Sequence, residues 1–229
     1  TIKIVIIKIK MHAPVVFFAF NRPNHTFKSL QSLSLNNEAG DTDIYVFIDG
    51  HRKNSEIHLI DSVEKIVKSF MSCFKSIKIS RSSENLSCGT NIRKGVTSVL
   101  NIHESAIVLE DDIYVSKYFL SYMNKALEIY KHNSNIWHIN GFNYPINISG
   151  EFDCFFSRLM QCWGWATWSD RWNKFIDDPF SSDPYFLMQE FNIDMIRSFD
   201  LDSRKKTFWS QIEDNANGKL NNTWAIFWY

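Results

Sequence analysis

Three adjacent acidic residues, Glu110, Asp111 and Asp112, end a short apolar run that begins at Ala106. The apolar run predicts a buried strand, but three neighbouring carboxylates repel one another unless a cation or bound donors offset their charge. Along an extended backbone, Glu110 and Asp112 point one way and Asp111 the other. Mg²⁺ and Mn²⁺ prefer oxygen ligands and often bind one or two protein carboxylates together with substrate phosphates. The triplet therefore indicates either a divalent-cation site, with Asp112 as a ligand, or a solvated acidic loop that caps the next helix.

Polar residues also follow two earlier apolar runs. Arg22 comes after the run at 15–20, and Asp49 after the run at 44–48. A guanidinium can pair with phosphate or stack on a ring, and a carboxylate can accept a hydrogen bond from a base N–H. These two side chains could therefore hold a nucleoside. Each has a simpler interpretation as well, because Arg22 could form a salt bridge at a helix start and Asp49 could be a turn residue.

A tryptophan-rich segment at residues 162–168 places Gly164 between Trp163 and Trp165. Aromatic residues at short spacing are common in cores, so core packing is one interpretation. Substrate binding is the other, because glycine lets a ligand approach the backbone and aromatic faces suit the C–H faces of sugars. Gly164 and Trp165 are therefore candidate substrate-binding residues.

The elements that must position these residues alternate between strand and helix over the first 112 residues. The predicted strands lie at 15–20, 44–48, 77–79 and 106–109, and the helices follow residues 22, 55 and 90. This alternation is typical of an α/β protein with a mostly parallel sheet flanked by helices. Parallel strands bring their carboxyl ends to one edge, where ligands bind in open sheets. We therefore expect Arg22, Asp49 and the acid triplet to lie close together.

The second half of the chain is less regular. Its pattern predicts a helix at 116–130 capped by Ser116, short strands at 136–139 and 155–156, and irregular polar structure from 177 to 222. Without a repeat or a low-complexity linker, we expect one domain over residues 1–229. The alternating stretch at 1–10 precedes Met11 and is interpreted as a non-native extension. The apolar run at 224–229 leads us to expect a C-terminal truncation.

Composition narrows the class of protein. The chain has 229 residues, of which 45% are hydrophobic, and its formal net charge is zero. This balance gives no indication of nucleic-acid binding, and it is typical of a globular protein with a sizeable core. Neither an export signal nor an apolar stretch of about 18 residues is recognisable, so we expect a cytoplasmic protein without a transmembrane segment, peripheral to the membrane at most.

The chain resembles glycosyltransferases of the GT-A fold, in particular the N-acetylglucosaminyltransferase I type and its bacterial polysaccharide-biosynthesis relatives. The similarity covers most of residues 14–175 and is carried by four blocks. These blocks are 108–116 with 118–120, 134–137, 155–156 and Gly164-Trp165. The resemblance implies a Rossmann-like nucleotide-diphospho-sugar transferase. It further implies an inverting transfer, dependent on Mn²⁺ or Mg²⁺, from a nucleotide-diphosphate sugar to a saccharide or lipid-linked saccharide acceptor.

The resemblance also assigns residues to roles. Asp112 matches the metal ligand of the family, Glu110 and Asp111 match the acids that approach the donor sugar and ribose, and Arg22 and Asp49 match nucleoside contacts. The catalytic base departs from the pattern, because segment 206–211 resembles the family's base-bearing segment but has Ser and Gln where acids are expected. A competing alignment places the base near Trp224-Ala225, where Ala cannot serve. Glu213 and Asp214 are the nearest carboxylates and the candidate catalytic residues.

Two other functions remain open. A sugar-phosphate nucleotidylyltransferase shares the sheet and the metal requirement, but that class needs a glycine-rich basic loop after the first strand. Residues 20–25 contain no glycine. A non-catalytic or truncated domain that binds nucleotide sugar without turnover is consistent with the missing base.

Overall fold

The computed structural model describes residues 12–145, 154–178, 180–202, 207–220 and 223–229, so the expected extension at 1–10 lies outside it. Six strands and nine α-helices are found in these ranges. The strands are β1 (Val15–Ala19), β2 (Asp43–Ile48), β3 (Ser76–Arg81), β4 (Ser105–Glu110), β5 (His138–Asn140) and β6 (Trp165–Trp168). The helices are α1 (Pro23–Ser34), α2 (Ile57–Ser69), α3 (Cys88–Leu100), α4 (Phe119–Tyr130), α5 (Ser169–Asp177), α6 (Pro184–Glu190), α7 (Ile193–Phe199), α8 (Trp209–Ala216) and α9 (Trp224–Trp228).

The six strands form one mixed sheet in the order β3-β2-β1-β4-β6-β5. β1 to β4 are mutually parallel, whereas β6 runs antiparallel to both β4 and β5. The chain moves outward from β1 through β2 to β3, and α3 then carries it back to β4 on the other side of β1. This reversal makes the gap between the ends of β1 and β4 the topological switch point, where ligands bind in open α/β sheets.

The central strands are buried on both faces. Alternate residues of β1 pack into different hydrophobic clusters, with Val15 and Phe17 on one face and Val16 and Phe18 on the other. The first face is covered by α1, α2 and α4, and the second by α3, α5 and α9. Burial on two faces explains the continuous apolar runs of these strands, since parallel sheets leave no face to water.

A third hydrophobic cluster joins the C-terminal helices. Its buried members are Trp209 and Ile212 of α8 and Ile226 of α9. Aromatic rings from α6 to α9 pack around them, so α8 belongs to this cluster and contacts α6 and α9. None of the helices in the described part of the chain is long and apolar enough to cross a bilayer.

The structure confirms the α/β class and the mostly parallel sheet flanked by helices. It corrects several details of the second half. Residues 155–156 are not in a strand, the helix predicted from Ser116 begins at Phe119, and the strand predicted at 136–139 is His138–Asn140. Strand Trp165–Trp168 was not predicted, because its partners on β4 and β5 are distant in sequence and its tryptophans hide the usual alternation.

Candidate functional site

The ends of β1 and β4 meet at the switch point. In their register, Phe18 of β1 lies beside Glu110 of β4, so the residues that follow each strand emerge side by side. After β1 the chain continues through Asn21 and Arg22 directly into α1, whose first residue is Pro23. Proline is favoured there because the first helical N–H needs no partner. The short connection holds Arg22 next to the acids that follow β4.

Arg22 forms ion pairs with both Asp111 and Asp112. Its Nη1 donates to Asp112 Oδ2 at 2.9 Å, and its Nη2 donates to Asp111 Oδ1. β4 ends at Glu110 and the chain turns through the next two residues, so these carboxylates reach one guanidinium. This corrects the prediction that Asp111 and Asp112 point in opposite directions, which assumed that the extended backbone continued. The helix-start salt bridge considered for Arg22 is present.

Asp111 is buried and also accepts from the backbone N–H of Phe20 at 3.3 Å. Burial raises the pKa of Asp111, although the charge of Arg22 acts in the opposite direction. Burial alone would lower the pKa of Arg22, but the two carboxylates raise it above its usual value. Asp111 therefore connects the end of β4 to the end of β1 through both Arg22 and the Phe20 backbone, whereas Asp112 does so through Arg22 alone.

The Glu110 carboxyl faces the N-terminus of α3. Cys88 Sγ lies 3.7 Å from Glu110 Oε2 and donates a weak hydrogen bond to it. Burial raises the pKa of Glu110 to about 7, and the charge of Asp112 adds to the rise. The charge of Glu110 therefore changes with pH near neutrality. Burial likewise raises the pKa of the Cys88 thiol to about 12, so the thiol is protonated.

The Asp49 side chain accepts hydrogen bonds from the loop that follows β3. One of its carboxylate oxygens accepts from the backbone N–H groups of Gly50 and Leu86, at 2.9 and 2.8 Å. The other oxygen accepts from Asn85 Nδ2 at 3.0 Å. Gly50 is required beside it, because a Cβ there would lie 2.3 Å from the backbone of Glu84. Asp49 therefore matches its simpler interpretation as a turn residue, with a buried carboxylate bonded to the protein.

Gly164 and Trp165 lie at the start of β6, where other parts of the protein surround them. Gly164 has φ of +75° and its carbonyl accepts from the N–H of Gly141 at 2.7 Å, so the backbone that approaches it closely is the protein's own. The Trp165 side chain is 0% exposed and packs against three other tryptophans. The core interpretation is correct for the Trp165 ring, because β6 directs this side chain into the hydrophobic cluster that also contains Trp172 and Trp224.

Glu213 and Asp214 lie on α8. Asp214 pairs with Lys219 at 3.3 Å, and its backbone carbonyl accepts from Lys219 and Leu220. Helix α8 packs on α6 and α9, so both carboxylates belong to the group of C-terminal helices.

A second charged cluster at this edge was not predicted. Glu56 accepts from the backbone N–H and the guanidinium of Arg52, at 2.8 and 2.7 Å, and from Asn21 Nδ2 at 3.0 Å. The hydrogen bond from Arg52 is the largest cause that lowers the pKa of Glu56, to about 2. The Arg52 guanidinium also lies 4.9 Å from the ring centre of Phe20. The spacing of four residues between Arg52 and Glu56 was a signal for this pair, and the cluster fixes the turn after β2 against the turn after β1.

Asp112 is the carboxylate best placed to hold Mn²⁺ or Mg²⁺. Its side chain is 41% exposed, whereas that of Asp111 is buried. In the described ranges, no group of three or more His, Cys, Asp and Glu side chains is arranged to hold a metal ion. A cation here would therefore take most of its ligands from a bound substrate, as Mg²⁺ does with phosphates.

No model of a known protein family matches the chain, and no curated protein does. Among solved structures, the chain is similar to the mannosyltransferase PcManGT from Pyrobaculum calidifontis in complex with GDP-Man and Mn²⁺, with 10% identity over 95% of this chain and 73% of that one, at a TM-score of 0.48. S. aureus TarS is 16% identical over 52% of this chain, at a TM-score of 0.40, and the match spans 20% of the TarS chain. The 4-diphosphocytidyl-2C-methyl-D-erythritol synthase from Anaerococcus prevotii is 12% identical over 85% of each chain, at a TM-score of 0.43. At these identities, a function must be inferred from the residues of the site.

Proposed function

We propose that the chain is the catalytic domain of a GT-A glycosyltransferase. It moves a sugar from a nucleotide-diphosphate donor to an acceptor hydroxyl, with inversion and with help from Mn²⁺ or Mg²⁺. The acceptor is a saccharide or a lipid-linked saccharide of bacterial cell-surface polysaccharide synthesis. The observation that supports this proposal is the meeting of one guanidinium and two carboxylates at the switch point between β1 and β4.

This arrangement suits a pyrophosphate that arrives with a cation. The half-exposed guanidinium of Arg22 can donate to phosphate oxygens, and the exposed carboxylate of Asp112 can hold the cation. A bound Mn²⁺ or Mg²⁺ would neutralise the diphosphate and make it a better leaving group. Asp111 holds both strand ends in place, and Glu110 presents a carboxyl to the hydroxyls of the donor sugar.

The roles of the other predicted residues follow from their contacts. Asp49 acts through the loop that it fixes, which borders the nucleoside side of the site. Gly164 acts by setting the direction of the chain before β6, and Trp165 by supporting the sheet beneath the acids. An inverting transfer also needs a carboxylate that accepts the proton of the attacking hydroxyl. Glu213 and Asp214 on α8 are our candidates for that base.

The test is nucleotide binding, measured by thermal shift with UDP, GDP, CDP and dTDP, with and without Mn²⁺. We expect at least one nucleotide to stabilise the protein, by mass action, and only when Mn²⁺ is present. Asp112→Asn should abolish the Mn²⁺-dependent shift. The matched control is Asp43→Asn, which removes a carboxylate that pairs with Lys75 at 3.0 Å at the opposite edge of the sheet. Nucleotide binding that is indifferent to Mn²⁺ and to Asp112→Asn would contradict the proposal.

Product analysis separates the alternatives. A transferase releases nucleoside diphosphate from a nucleotide sugar when an acceptor is present, and a nucleotidylyltransferase makes nucleotide sugar from a sugar phosphate and a nucleoside triphosphate. A non-catalytic domain does neither, although it binds the nucleotide. If the base is Glu213 or Asp214, then Glu213→Gln or Asp214→Asn should abolish release without weakening nucleotide binding.

A further inference from the structure

Three aromatic rings, two of them exposed and one partly buried, pack together near the acids. Phe142 and Trp163 lie 4.8 Å apart between ring centres, Phe142 and Tyr144 5.3 Å, and Tyr144 and Trp163 6.2 Å. All three pairs meet edge to face, with interplanar angles of 68–81°. The side chain of Trp163 is 43% exposed and that of Tyr144 is also exposed. We call Phe142, Tyr144 and Trp163 the aromatic platform.

Trp163 of the platform lies two residues before β6, near the end of β4. β6 pairs with β4 so that Trp165 faces Val108. Because β6 begins at Trp165, we expect the preceding Gly164 beside Leu109, the neighbour of Glu110. The position of Gly164 agrees with this, because a Cβ on it would lie 3.3 Å from Leu109 Cδ2. Burial, together with the nearby carboxylates of Glu110 and Asp112, also raises the pKa of the adjacent Cys162 thiol to about 11.

Two glycines hold the platform in its outward position. Gly141 precedes Phe142, and its N–H donates to the Gly164 carbonyl at 2.7 Å. A Cβ on Gly141 would lie 2.6 Å from that carbonyl oxygen and equally close to Phe119 and Met123. Gly164 has φ of +75°, which turns the chain so that Trp163 faces outward while Trp165 enters the core. The ring orientation is therefore set by the backbone.

Exposed rings next to carboxylates match the chemistry of a pyranose. The C–H groups on one face of the sugar are attracted to the electron-rich face of an aromatic ring. Its hydroxyls donate strong hydrogen bonds to charged carboxylates. Binding sites for small molecules combine aromatic walls with a few polar groups in the same way. A purely apolar partner would offer no further hydrogen bond to Glu110 or Asp112, so it fits less well than a saccharide.

We propose that the aromatic platform binds a pyranose ring of the acceptor saccharide, with Trp163 as its main stacking surface. The assignment rests on the proposed function, because Arg22 and Asp112 already account for the diphosphate of the donor. The platform lies where β5 ends and β6 begins, and β6 is the neighbour of β4 in the sheet, so a sugar stacked there would present a hydroxyl towards Glu110 and the donor.

The test uses saturation-transfer NMR with the methyl glycosides of glucose, galactose, mannose and N-acetylglucosamine as probes. We expect at least one glycoside to receive saturation from the wild-type protein on the protons of one sugar face. Trp163→Ala should weaken that binding roughly tenfold, and Trp163→Phe should restore part of it. The matched control is Phe27→Ala, because Phe27 is also 43% exposed and packs on Phe70 of the α1–α2 pair.

Nucleotide binding is measured on the same variants with UDP, GDP, CDP and dTDP in the presence of Mn²⁺. Loss of glycoside binding in Trp163→Ala with unchanged nucleotide binding supports the platform as the acceptor site. The proposal is overturned if no glycoside binds the wild type, if Trp163→Ala binds as well as Phe27→Ala, or if Trp163→Ala weakens the nucleotide instead. Because the two ligands are measured separately, a failed nucleotide assay contradicts the proposed function while a failed glycoside assay contradicts only the platform.

Discussion

At the scale of single residues, Arg22 connects the two strands that border the candidate site. It follows β1, and its partners Asp111 and Asp112 follow β4. One partner is buried and the other is half exposed, so a single guanidinium holds a structural carboxylate and a carboxylate that is open to ligands. In the proposed function, Asp112 would hold the cation, and the phosphates of the donor would then replace Asp112 as partners of the Arg22 guanidinium.

The raised pKa of Glu110 predicts a pH-dependent effect on stability. The pKa rises from 4.5 to about 7 on folding, so the folded protein binds more protons between these values. Stability from this group is fully present below pH 4.5 and is lost as pH rises through 7, because a buried carboxylate must then ionise. The Glu110→Gln side chain stays neutral at every pH. The free energy of unfolding of this variant, minus that of the wild type, should therefore increase between pH 4.5 and pH 7. The increase should amount to about 1–3 kcal/mol above pH 7.

Urea unfolding at a series of pH values measures this difference. Glu104→Gln is the control, because its side chain is 79% exposed and pairs with Lys131 at the surface. Its unfolding free energy should follow that of the wild type at every pH. An equal difference between Glu110→Gln and the wild type at pH 4.5 and pH 8 would contradict the assignment.

At the scale of elements, the contact between the loop after β5 and the start of β6 depends on Gly141. Gly141→Ala would place a methyl group 2.6 Å from the Gly164 carbonyl, and the nearby backbone cannot move away as a side chain could. We expect a loss of about 1–3 kcal/mol in the free energy of unfolding. Gly40→Ala is the control, because nothing lies within 4 Å of the added methyl there. If Gly141→Ala loses no more free energy of unfolding than Gly40→Ala, the close contact between Gly141 and Gly164 does not contribute to stability.

The sequence predicted the parallel half of the sheet well because each of its strands is buried on both faces. Runs such as 15–20 and 106–109 are apolar throughout, and each is followed by polar residues at the strand end. The acid triplet, Arg22 and Asp49 were correctly placed at the same edge, since parallel strands leave no other arrangement. However, the residue types did not predict which way each side chain points. Asp49 faces its own loop, and Asp111 and Asp112 share one guanidinium because the strand ends one residue before them.

The antiparallel part was harder to predict for a different reason. Which of two neighbouring tryptophans enters the core depends on the register between β6 and β4, which are more than fifty positions apart in sequence. The sequence pattern predicted Trp165 as a ligand contact, whereas the ring that faces outward is that of Trp163. A glycine between the two rings was the available signal, because a residue with positive φ breaks the expected alternation.

At the scale of the whole molecule, the tryptophans that pack on one face of the sheet join β6 to the helices α5 and α9. Trp165 of β6 packs against Trp172 of α5 and against Trp224 and Trp228 of α9. Trp165→Ala should reduce the free energy of unfolding by about 3–5 kcal/mol, because it leaves a large cavity in this cluster. Trp163→Ala should cost about 1 kcal/mol or less, since its ring is half exposed. Chemical denaturation compares the two, and equal losses would contradict the opposite orientations of the rings.

Arg22 and Asp112 are separated by 90 positions along the chain. The guanidinium follows β1 and the carboxylates follow β4. The two charges therefore meet only when β4 is paired with β1 in the sheet. In the proposed function, ligand affinity therefore depends on the pairing of β1 with β4, and a nascent chain that stops before residue 110 lacks the negative half of the site.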